Sequence, residues 1–472
     1  MRDINQIYID GQFVTPHGTD MFDLHNPVNG DIIGQVRLGD ADDARNAIAA
    51  AKRAFQTWSH TTKSERIELL HRLYDAVMAK KNELIEAIIL EFGAPATRAT
   101  FMASGAANSF LDAVRALEKY DLIQKVGTAD VVMEPVGVVG LITPWNSNAG
   151  FICSKLAYAL AAGCTAVIKP SEMSATQTQV LVEALHEAGA PAGLFNIVNG
   201  RGGVVGPELT NSPDIAKISF TGSTPVGKSI LRDAAATMKR VTLELGGKSP
   251  TIILDDADFE KAIPTAIQIG LGNSGQACLN GTRILVPSSR KDEAIAAIKK
   301  HFTAIKAGDP LAADTTIGPM VSQAQYDRIQ RYIKIGMETA TLVAGGEGHP
   351  AGLGGYFVQP TVFADVTNDM VIAREEIFGP VLCVLTYDDE ASAVRIANDT
   401  QYGLHAYVLS GSQERATAVA RQLEAGRVAI NGAAHDPDAP FGGFKQSGIG
   451  REYGVFGLQS YFEPKALLGA AS

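Results

Sequence analysis

The 472-residue sequence predicts an α/β protein with two doubly wound, mainly parallel sheets. From Val136 to Leu245, apolar segments such as VGVVGLIT and TAVIKP alternate with amphipathic segments, which is typical of buried parallel strands separated by helices. A second alternating run covers Pro250 to Asn431. A chain of this length exceeds what one hydrophobic core normally holds, so two or three packing units are expected.

The region before the first run is predicted to contain both strands and helices. Short strands are expected in QIYIDGQFV and DIIGQVRLG, two or three helices from Asp42 to Phe92, and an extended segment at VGTADVVMEPVG. In the first run, helices are expected in ICSKLAYALAAG, TQTQVLVEALHEAG and VGKSILRDAAATM, and NGRGGVVG is expected to be a glycine-rich loop.

The second run contains predicted strands in PTIILDD, RILVP, PVLCVLTYD, AYVLSG and RVAING, with helices between them. The apolar tail LQSYFEPKALLG is too short to form a core of its own. It is therefore predicted to be a strand that pairs with another part of the chain or with another subunit.

Composition and charge exclude several classes of function. The net charge of −10 and the lack of a dense Lys/Arg run disfavour binding to nucleic acid or to an anionic membrane. The N-terminal sequence lacks a basic segment followed by an apolar one, and no apolar run reaches about 18 residues, so a cytoplasmic protein is expected. The four cysteines form no CxxC pair and the nine histidines no HExxH motif, so neither a metal site nor a disulfide framework is expected.

Polar residues follow two of the predicted strands. In ITPWNSN, the amide of Asn146 could donate two hydrogen bonds to an oxyanion, or it could simply cap the next helix. In VIKPSE, Lys169 and Glu172 could hold the hydroxyls of a ribose, or they could form an ordinary surface ion pair.

Two glycine-rich segments also follow strands. In FTGSTPVG, Gly222 and Gly227 bracket the start of a helix, where backbone N–H groups attract phosphate. The spacing matches neither of the usual phosphate-binding fingerprints, so an ordinary turn is an equal alternative. The segment NGRGGVVG carries the same weak signal.

A carboxylate and a thiol complete the candidate chemistry. Glu244 in LELGGKSP could be a general base with a raised pKa, or a strand residue on a solvent-facing side. Cys278 in GNSGQACLNGTR could be a nucleophile, or a small buried apolar residue. Each motif is weak alone, and the signal is their shared position on strand-end loops.

Together these segments resemble the aldehyde dehydrogenase superfamily. The matching pieces are PWN, KPSE, FTGSTPVG, LELGGKSP, GQAC, EEIFGPV and PFGGFKQSGIGREYG, in the family's order and at its approximate spacings. The resemblance implies an NAD(P)-dependent enzyme of the hydrolytic type. It further implies a Rossmann-like dinucleotide-binding domain (residues 1–116 and 136–247), a catalytic domain (248–446) and a small β oligomerisation arm (117–135 and 455–472).

The resemblance also implies residue roles. Cys278 would be the nucleophile, Asn146 the oxyanion donor together with the Cys278 N–H, Glu244 the base for the hydrolytic water, and Glu452 a proton-relay residue. The cofactor would be held by Ile142, Trp145, Lys169, Glu172, Gly202, Gly206, Phe220, Gly222, Ser223, Gly227, Leu245, Glu376 and Phe378. The substrate tunnel would be lined by Ser147, Phe151, Ser154, His435 and Phe441.

The implied reaction passes through a thiohemiacetal and a thioester on Cys278. Glu172 accepts from a ribose 2′-hydroxyl and repels a 2′-phosphate, so NAD is expected rather than NADP. The expected partners are a small aldehyde and further copies of the chain, in a homodimer or a homotetramer. The alternatives are a dehydrogenase that passes the acyl group to coenzyme A, a cysteine hydrolase without a dinucleotide, and a binding protein that has lost turnover.

The sequence departs from the family pattern near the substrate tunnel. Small or polar residues follow PWN where the family has larger ones: Ser147, Asn148, Ala149, Gly150 and Ser154. They predict a roomier or more polar mouth. His435, Asp436 and Asp438 near PFGG could favour a hydroxylated or cationic aldehyde, or could be solvated loop residues.

Overall fold

The computed structural model describes residues 3–469, and within that range it contains twenty strands and fifteen α-helices. The strands are β1 (Ile7–Ile9), β2 (Gln12–Val14), β3 (Met21–His25), β4 (Ile32–Arg37), β5 (Ile123–Val126), β6 (Ala129–Pro135), β7 (Val138–Ile142), β8 (Thr165–Lys169), β9 (Phe195–Ile197), β10 (Ile215–Thr221), β11 (Arg240–Glu244), β12 (Pro250–Ile253), β13 (Arg283–Pro287), β14 (Thr341–Ala344), β15 (Thr361–Ala364), β16 (Val381–Tyr387), β17 (His405–Leu409), β18 (Arg427–Ile430), β19 (Gly448–Ile449) and β20 (Phe462–Leu467).

The helices carry their own numbering along the chain. They are α1 (Ala41–Trp58), α2 (Lys63–Ala79), α3 (Lys81–Phe92), α4 (Ala96–Glu118), α5 (Asn148–Ala162), α6 (Ala175–Glu187), α7 (Gly202–Asn211), α8 (Thr224–Ala234), α9 (Phe259–Gly270), α10 (Lys291–Phe302), α11 (Gln323–Thr339), α12 (Val371–Arg374), α13 (Glu390–Asn398), α14 (Gln413–Ala420) and α15 (Gly454–Gln459).

The first sheet has eight strands in the order β19-β11-β10-β7-β8-β9-β1-β2. Its five central strands are parallel, and strands β1, β2 and β19 are antiparallel additions at the edges. The chain runs outward from β7 through β8 to β9 and then returns to the other side of β7 at β10. This reversal point is where an open α/β sheet binds ligands, beyond the carboxyl ends of its strands.

The second sheet has seven strands in the order β14-β15-β16-β13-β12-β17-β18, and all but β14 are parallel. Both faces are covered by apolar clusters, one around Phe363 and Leu385 and the other around Ile263 and Ile298. The predicted fold class, α/β with two doubly wound sheets, is therefore confirmed.

The tail pairs within the chain. Strand β20 lies antiparallel to β6, with Phe462 opposite Pro135 and Leu467 opposite Asp130, and β6 also pairs with β5. This three-stranded sheet exposes Ile123, Val126 and Leu468. Residues 470–472 of the predicted arm lie outside the described residues.

Helix α4 was not predicted from the sequence. Its 23 residues bury many small side chains, including Ala103, Ala106 and Ala107, and it packs against α2 and α5. Small apolar residues, together with Gly105 and several Ser and Thr, give little contrast between buried and exposed faces, so the helical period is hard to recognise. The three helices expected between Asp42 and Phe92 are present as α1, α2 and α3.

None of the helices in the described chain combines the length and the apolar character that crossing a bilayer requires.

Gly163 closes helix α5 in a left-handed conformation, with φ of 89°. A Cβ at this position would lie 2.5 Å from the Cζ atom of Arg66. The Arg66 guanidinium is buried and donates to the carbonyls of Ala162 and Ser59, each at 2.9 Å. The end of α5 thus depends on a residue without a side chain.

We expect Gly163→Ala to lower the free energy of unfolding by about 2 kcal/mol, because alanine is strained at positive φ and would displace Arg66. Gly105→Ala is the matched control, since Gly105 lies in α4 with no described atom within 4 Å of its added Cβ. That change should leave stability equal or raise it by up to about 1 kcal/mol. Thermal and urea unfolding measure both, and equal stability of the two variants would contradict the analysis.

Candidate active site

The candidate site lies between the carboxyl edge of the first sheet and the amino edge of the second. Asn146 follows β7, and Glu244 is the last residue of β11. Cys278 and Glu376, in contrast, precede strands β13 and β16. The expectation that ligand-binding residues follow strands therefore holds for the first sheet, whereas the second sheet contributes residues from the opposite edge.

The loop that carries Cys278 is anchored by Gln276. The Gln276 side chain is fully buried, donates to the Pro319 carbonyl at 3.2 Å and accepts from the Val321 N–H at 3.0 Å. Gly275 has φ of 79°, and a Cβ there would lie 2.1 Å from the backbone of Gly379. The conformation of this loop, fixed by Gln276, therefore requires a residue without a side chain at Gly275.

Asn146 is joined to the same loop. Its Nδ2 donates to the Gln276 carbonyl at 2.9 Å, and its own carbonyl accepts from the Asn273 Nδ2 at 3.0 Å. Arg98 donates to the Asn273 Oδ1 at 3.2 Å and so fixes the orientation of that amide. One of the two side-chain N–H groups of Asn146 is therefore used in the hydrogen bond to Gln276, and this fixes the direction of the other. Gln276, Asn273 and Arg98 were missed because their partners are distant in sequence.

The environment of Cys278 disfavours its thiolate. Burial raises the pKa of the Cys278 thiol to about 12, and the carboxylates of Glu376 and Glu244 act in the same direction. The backbone N–H groups of Cys278 and Leu279 act in the opposite direction, with smaller effect. Desolvation therefore dominates over these N–H groups. Without a ligand, the thiol is protonated at neutral pH.

Glu244 is buried and unpaired. It is 2% exposed, and neither carboxylate oxygen has a hydrogen-bond partner among residues 3–469. Burial raises its pKa well above the usual value, and the nearby Glu452 raises it further. A Cβ on Gly442 would lie 2.7 Å from the Glu244 Oε1. Of the two interpretations of Glu244, the solvent-facing one is therefore wrong.

The Gly246–Gly247 pair lets two loops approach Cys278. A Cβ on Gly247 would lie 2.5 Å from the Cys278 carbonyl oxygen, and a Cβ on Gly246 would lie 2.5 Å from a Glu376 oxygen. Glu376 also accepts from the Gly247 N–H at 2.9 Å, and burial raises the pKa of Glu376 to about 7. Backbone from both sheets thus meets around the thiol.

Glu452 lies in a buried polar cluster. It forms an ion pair with Lys155 and accepts from the Ser219 hydroxyl at 3.1 Å, while Lys155 also donates to Ser219 at 3.0 Å. A small cavity is lined by Lys155, Glu452 and Tyr453 among others. Lys155 was missed in the sequence, although a lone lysine in the apolar helix α5 was a usable signal.

Glu376 and Phe378 belong to a loop that α11 holds. Arg328 donates to the Glu376 carbonyl at 2.6 Å, and Gln325 donates to the Phe378 carbonyl at 2.7 Å. The Phe378 ring meets Trp145 edge to face, with centroids 5.5 Å apart. The structure therefore brings Trp145, from the first sheet, together with Phe378, from the second.

Lys169 and Glu172 form a pair at the end of β8. The Lys169 Nζ lies 3.0 Å from one Glu172 oxygen, with Lys169 buried and Glu172 partly exposed. Because the lysine is buried, the pair is not an ordinary surface ion pair. Lys169 thus holds the Glu172 carboxylate close to the carboxyl end of β8.

The predicted loop NGRGGVVG is wrong in part, since Gly202 begins helix α7 and Gly206 lies within it. Buried Val205 and Leu209 fix this helix on the sheet and offset the low helical propensity of its glycines. The outer surface remains open, because no described atom lies within 4 Å of a Cβ added to Gly202 or Gly206.

Helix α8 begins at the turn after β10. Ser223 is its N-cap residue, and the Ser223 hydroxyl caps no N–H of the described chain. A Cβ on Gly222 would meet the Phe220 ring at 2.4 Å, and one on Gly227 would meet Leu245 at 2.5 Å. These glycines allow the helix N-terminus to pack closely on the sheet, which leaves its N–H groups for an anionic ligand.

The apolar residues predicted for the cofactor site lie together beneath this turn. Ile142, Phe220 and Leu245 belong to one buried cluster.

Three unsatisfied polar atoms mark the same edge of the sheet. The side-chain oxygens of Thr143, Asn199 and Thr221 are buried and lack a hydrogen-bond partner within the part of the chain that is described. They follow or end strands β7, β9 and β10. Such groups are rare in folded proteins and fit a ligand rich in hydroxyls and phosphates. The open glycine surface, the free N-cap and these atoms together fit a dinucleotide.

Part of the predicted substrate tunnel meets at Tyr453. The Tyr453 ring lies 5.8 Å from His435 and 5.9 Å from Phe441, and its hydroxyl lies beside Ser154. Ser147 and Phe151 lie at the start of α5 without a described contact to Tyr453. A Cβ on Gly150 would lie 2.8 Å from the Ser147 hydroxyl, so a larger residue at position 150 would collide with Ser147.

Two of the residues considered for the mouth have other roles. Asn148 is fully buried and donates to the Thr178 hydroxyl at 2.9 Å, so it joins α5 to α6 and does not line a mouth. Asp438 pairs with Arg115 at 3.3 Å and with Lys119 at 2.6 Å, so it ties its loop to α4.

Comparison with known proteins identifies relatives along nearly the whole chain. Residues 13–467 match the model of the aldehyde dehydrogenase family. A 3-succinoylsemialdehyde-pyridine dehydrogenase from a Pseudomonas species is 48% identical, over 99% of each chain. A putative aldehyde dehydrogenase from Staphylococcus haemolyticus is 43% identical, again over 99% of each chain.

Solved structures agree with these relatives. A mutant of aldehyde dehydrogenase C from Pseudomonas syringae, in complex with NAD+ and octanal, has a TM-score of 0.97 at 43% identity, covering 99% of this chain and 97% of that one. An aldehyde dehydrogenase from Bacillus cereus, in complex with NAD+, has a TM-score of 0.94 at 39% identity, covering 98% and 96%.

The raised pKa of Cys278 makes a prediction about thiol reactivity in the ligand-free protein. Alkylation of Cys278 by iodoacetamide should be slow at pH 7 and should rise about tenfold per pH unit up to about pH 10, since only the thiolate reacts. Glu376→Gln should raise the rate at pH 9 by about three- to tenfold, because it removes a negative charge near the sulfur.

Glu375→Gln is the matched control, because Glu375 is exposed and carries the same charge. Mass spectrometry of the Cys278 peptide measures the rates. A plateau below pH 9, or equal acceleration by both variants, would contradict the electrostatic account.

Proposed function

Because this chain belongs to the aldehyde dehydrogenase family, we propose that it oxidises an aldehyde to a carboxylate through a covalent intermediate on Cys278, with NAD as the oxidant. Aldehyde oxidation with NAD follows from the family and from the NAD+ complexes of its structural neighbours. The roles of individual residues are proposed from the geometry of the site.

One observation carries the mechanism. The Gln276 carbonyl, two residues before Cys278, accepts from Asn146, and the Gly246–Gly247 turn after Glu244 touches the Cys278 backbone. A thiol, an amide and a carboxylate from three distant segments therefore share one site. Nucleophilic acyl chemistry needs these three kinds of group close together.

The cofactor is proposed to lie along the carboxyl edge of the first sheet. Lys169 and Glu172 would hold the adenosine ribose, Ser223 and the N-terminus of α8 the pyrophosphate, and Glu376 the second ribose. The open surface of α7 and the unsatisfied Thr143, Asn199 and Thr221 side chains support this placement. NAD, when bound, supplies the hydride acceptor in a positively charged nicotinamide ring.

Attack on the aldehyde requires deprotonation of the Cys278 thiol, whose pKa is raised to about 12. Glu244, unpaired and with a pKa raised by burial, is the base near the sulfur that would take this proton. The Cys278 sulfur then adds to the carbonyl carbon and forms a thiohemiacetal. Its oxygen would accept from the free N–H of Asn146 and from the Cys278 N–H.

Loss of hydride leaves a thioester on Cys278. The buried pair of Glu452 and Lys155 would first carry the thiol proton away from Glu244, since Glu452 lies close enough to raise the pKa of Glu244. Glu244 would then take a proton from the water that attacks the thioester and return it to the departing Cys278 thiolate. The other water proton would leave as the acid product ionises to the carboxylate. Glu244 also favours hydrolysis over transfer of the acyl group to coenzyme A.

The substrate is proposed to be a bulky aldehyde. Relatives are named for 3-succinoylsemialdehyde-pyridine and bind octanal, both larger than the simplest aldehydes. Small residues at Ser147, Gly150 and Ser154 support a wide approach to Cys278. A cytoplasmic location is part of the same proposal.

Assembly into a homodimer or a homotetramer is also proposed. The three-stranded sheet of β5, β6 and β20 has two unpaired edges and exposes Ile123, Val126 and Leu468, which are features of a surface covered by another subunit. Residues 117–135 and 455–472 would form this arm. Residues 1–116 and 136–247 would form the cofactor domain, and residues 248–446 the catalytic domain.

The central test is the appearance of NADH with octanal in the absence of coenzyme A. Cys278→Ala should abolish it, and Asn146→Ala should lower kcat by about 10²–10³-fold while the Kd for NAD changes by less than about threefold. A requirement for coenzyme A would favour the acylating alternative. Binding of NAD without turnover on a panel of aldehydes would favour a binding protein, and normal activity of Asn146→Ala would refute its role.

Cofactor choice gives a second prediction. Glu172→Gln should shift the ratio of kcat/KM for NADP to that for NAD upward by about tenfold, because the charge that repels a 2′-phosphate is removed while Lys169 remains. Glu187→Gln, an equal charge change at the exposed end of α6, is the control and should leave the ratio as it is. An unchanged ratio in Glu172→Gln would place the selectivity elsewhere.

A further inference from the structure

One side chain of β18, Arg427, makes several hydrogen bonds to the segment that follows this strand. Its Nε donates to the Pro440 carbonyl at 2.7 Å, and its Nη2 donates to the Asp436 carbonyl at 3.1 Å and to the Ala439 carbonyl. Its Nη1 lies 2.8 Å from the Nδ1 of His435. All three nitrogens of the guanidinium are therefore directed at this one segment.

The contact with Arg427 determines the protonation of His435. An arginine side chain only donates hydrogen bonds and does not lose its proton in proteins. The His435 Nδ1 must therefore be the acceptor, so the imidazole is neutral and its proton lies on Nε2. Partial desolvation and the nearby Arg427 charge lower the pKa of His435, which agrees with this assignment.

The Nε2–H is left without a protein acceptor. His435 is exposed, and its only described hydrogen bond within residues 3–469 is the one with Arg427. Its ring stands edge-on against Tyr453, with centroids 5.8 Å apart. Tyr453 has φ of 63° and ψ of 155°, a conformation that is unfavourable for any residue other than glycine. The backbone at Tyr453 is thus strained, and in this conformation its ring packs against His435.

Tyr453 links His435 to the residues around Glu244. Tyr453 also meets Phe441, whose backbone pairs with Glu452 in both directions at 2.8 and 2.7 Å. The next residue, Gly442, approaches Glu244. A substrate whose aldehyde carbon reaches Cys278 would therefore extend past Phe441 and Tyr453 toward His435.

The charges around the ring decide which group it would bind. Asp438 is neutralised by Arg115 and Lys119, and Asp436 accepts from the Asp438 N–H at 2.9 Å. The Arg427 guanidinium has no carboxylate partner among the described residues. The Arg427 charge opposes a cation near His435 and the Asp436 carboxylate favours one, so these charges do not select a cationic aldehyde, and the Nε2–H itself calls for an acceptor.

We propose that His435 is a specificity-determining hydrogen-bond donor, held as the Nε2–H tautomer by Arg427, and that it selects aldehydes carrying an uncharged hydrogen-bond acceptor, such as a ring nitrogen or a carbonyl, at the end remote from the aldehyde. The proposal rests on the proposed function, since it names the substrate class of the same site.

The test compares 3-phenylpropanal with its three pyridyl analogues. These analogues are isomers of one another, have the same shape as phenylpropanal and carry one ring nitrogen as an additional acceptor. At pH 8, at least one pyridyl isomer should have a kcat/KM about five- to tenfold above that of phenylpropanal, the usual effect of one hydrogen bond. In His435→Phe this ratio should fall to about one, because the aromatic ring remains and the donor is lost. Asp436→Asn, the neighbouring control, should keep the wild-type ratio.

Within one variant, the ratio of kcat/KM for a pyridyl isomer to kcat/KM for phenylpropanal does not change when the overall activity falls. The Kd values of the corresponding alcohols, which Cys278 cannot attack, give the same comparison without turnover, so a failure of the proposed reaction is distinguishable from a failure of this proposal. The proposal is overturned if no pyridyl isomer exceeds phenylpropanal, if the preference persists in His435→Phe, or if an N-methylpyridinium analogue is preferred.

The tautomer can be tested without a substrate. In heteronuclear NMR of histidine-labelled protein, the ring signals lost in His435→Phe should be those of a neutral Nε2–H imidazole. Signals of the Nδ1–H form, or of a protonated ring at pH 8, would overturn the assignment.

Discussion

The site depends on the carbonyl group of Gln276. It accepts from Asn146, which follows a strand of the first sheet, and from Asn273 in its own loop, while the Gln276 side chain is fixed to Pro319 and Val321. One peptide group therefore sets the distance between the two sheets at the point where the chemistry takes place. The glycines around it are needed because backbone approaches backbone there without room for side chains.

The electrostatics of the site follow from the same close packing. Glu244 and Glu376 are buried near the Cys278 sulfur, and each disfavours a further negative charge. Two nearby cations, in contrast, are engaged elsewhere: buried Lys155 with Glu452, and partly buried Arg427 with the segment that carries His435. This environment disfavours ionisation of the Cys278 thiol in the ligand-free protein.

The sequence was informative wherever chemistry is carried by short, local patterns. The alternation of strands and helices predicted both sheets, and the ends of β7, β8, β10 and β11 pointed to Asn146, Lys169, Ser223 and Glu244. It was uninformative where the decisive contact joins distant segments, as for Arg98 with Asn273 or Lys155 with Glu452. Tertiary packing also overrode local propensity in α7, where buried Val205 and Leu209 make a helix of a glycine-rich segment.

The order of the strands has a consequence for biosynthesis. Strand β19 closes one edge of the first sheet, β20 pairs with β6, and Glu452 reaches Lys155 from between them. Most of the first sheet is translated before residue 245, but these last pieces emerge from the ribosome some two hundred residues later. A nascent chain must therefore hold an incomplete sheet, with Lys155 lacking its counter-charge, through the synthesis of the whole second sheet. Chaperone protection would matter most during that interval.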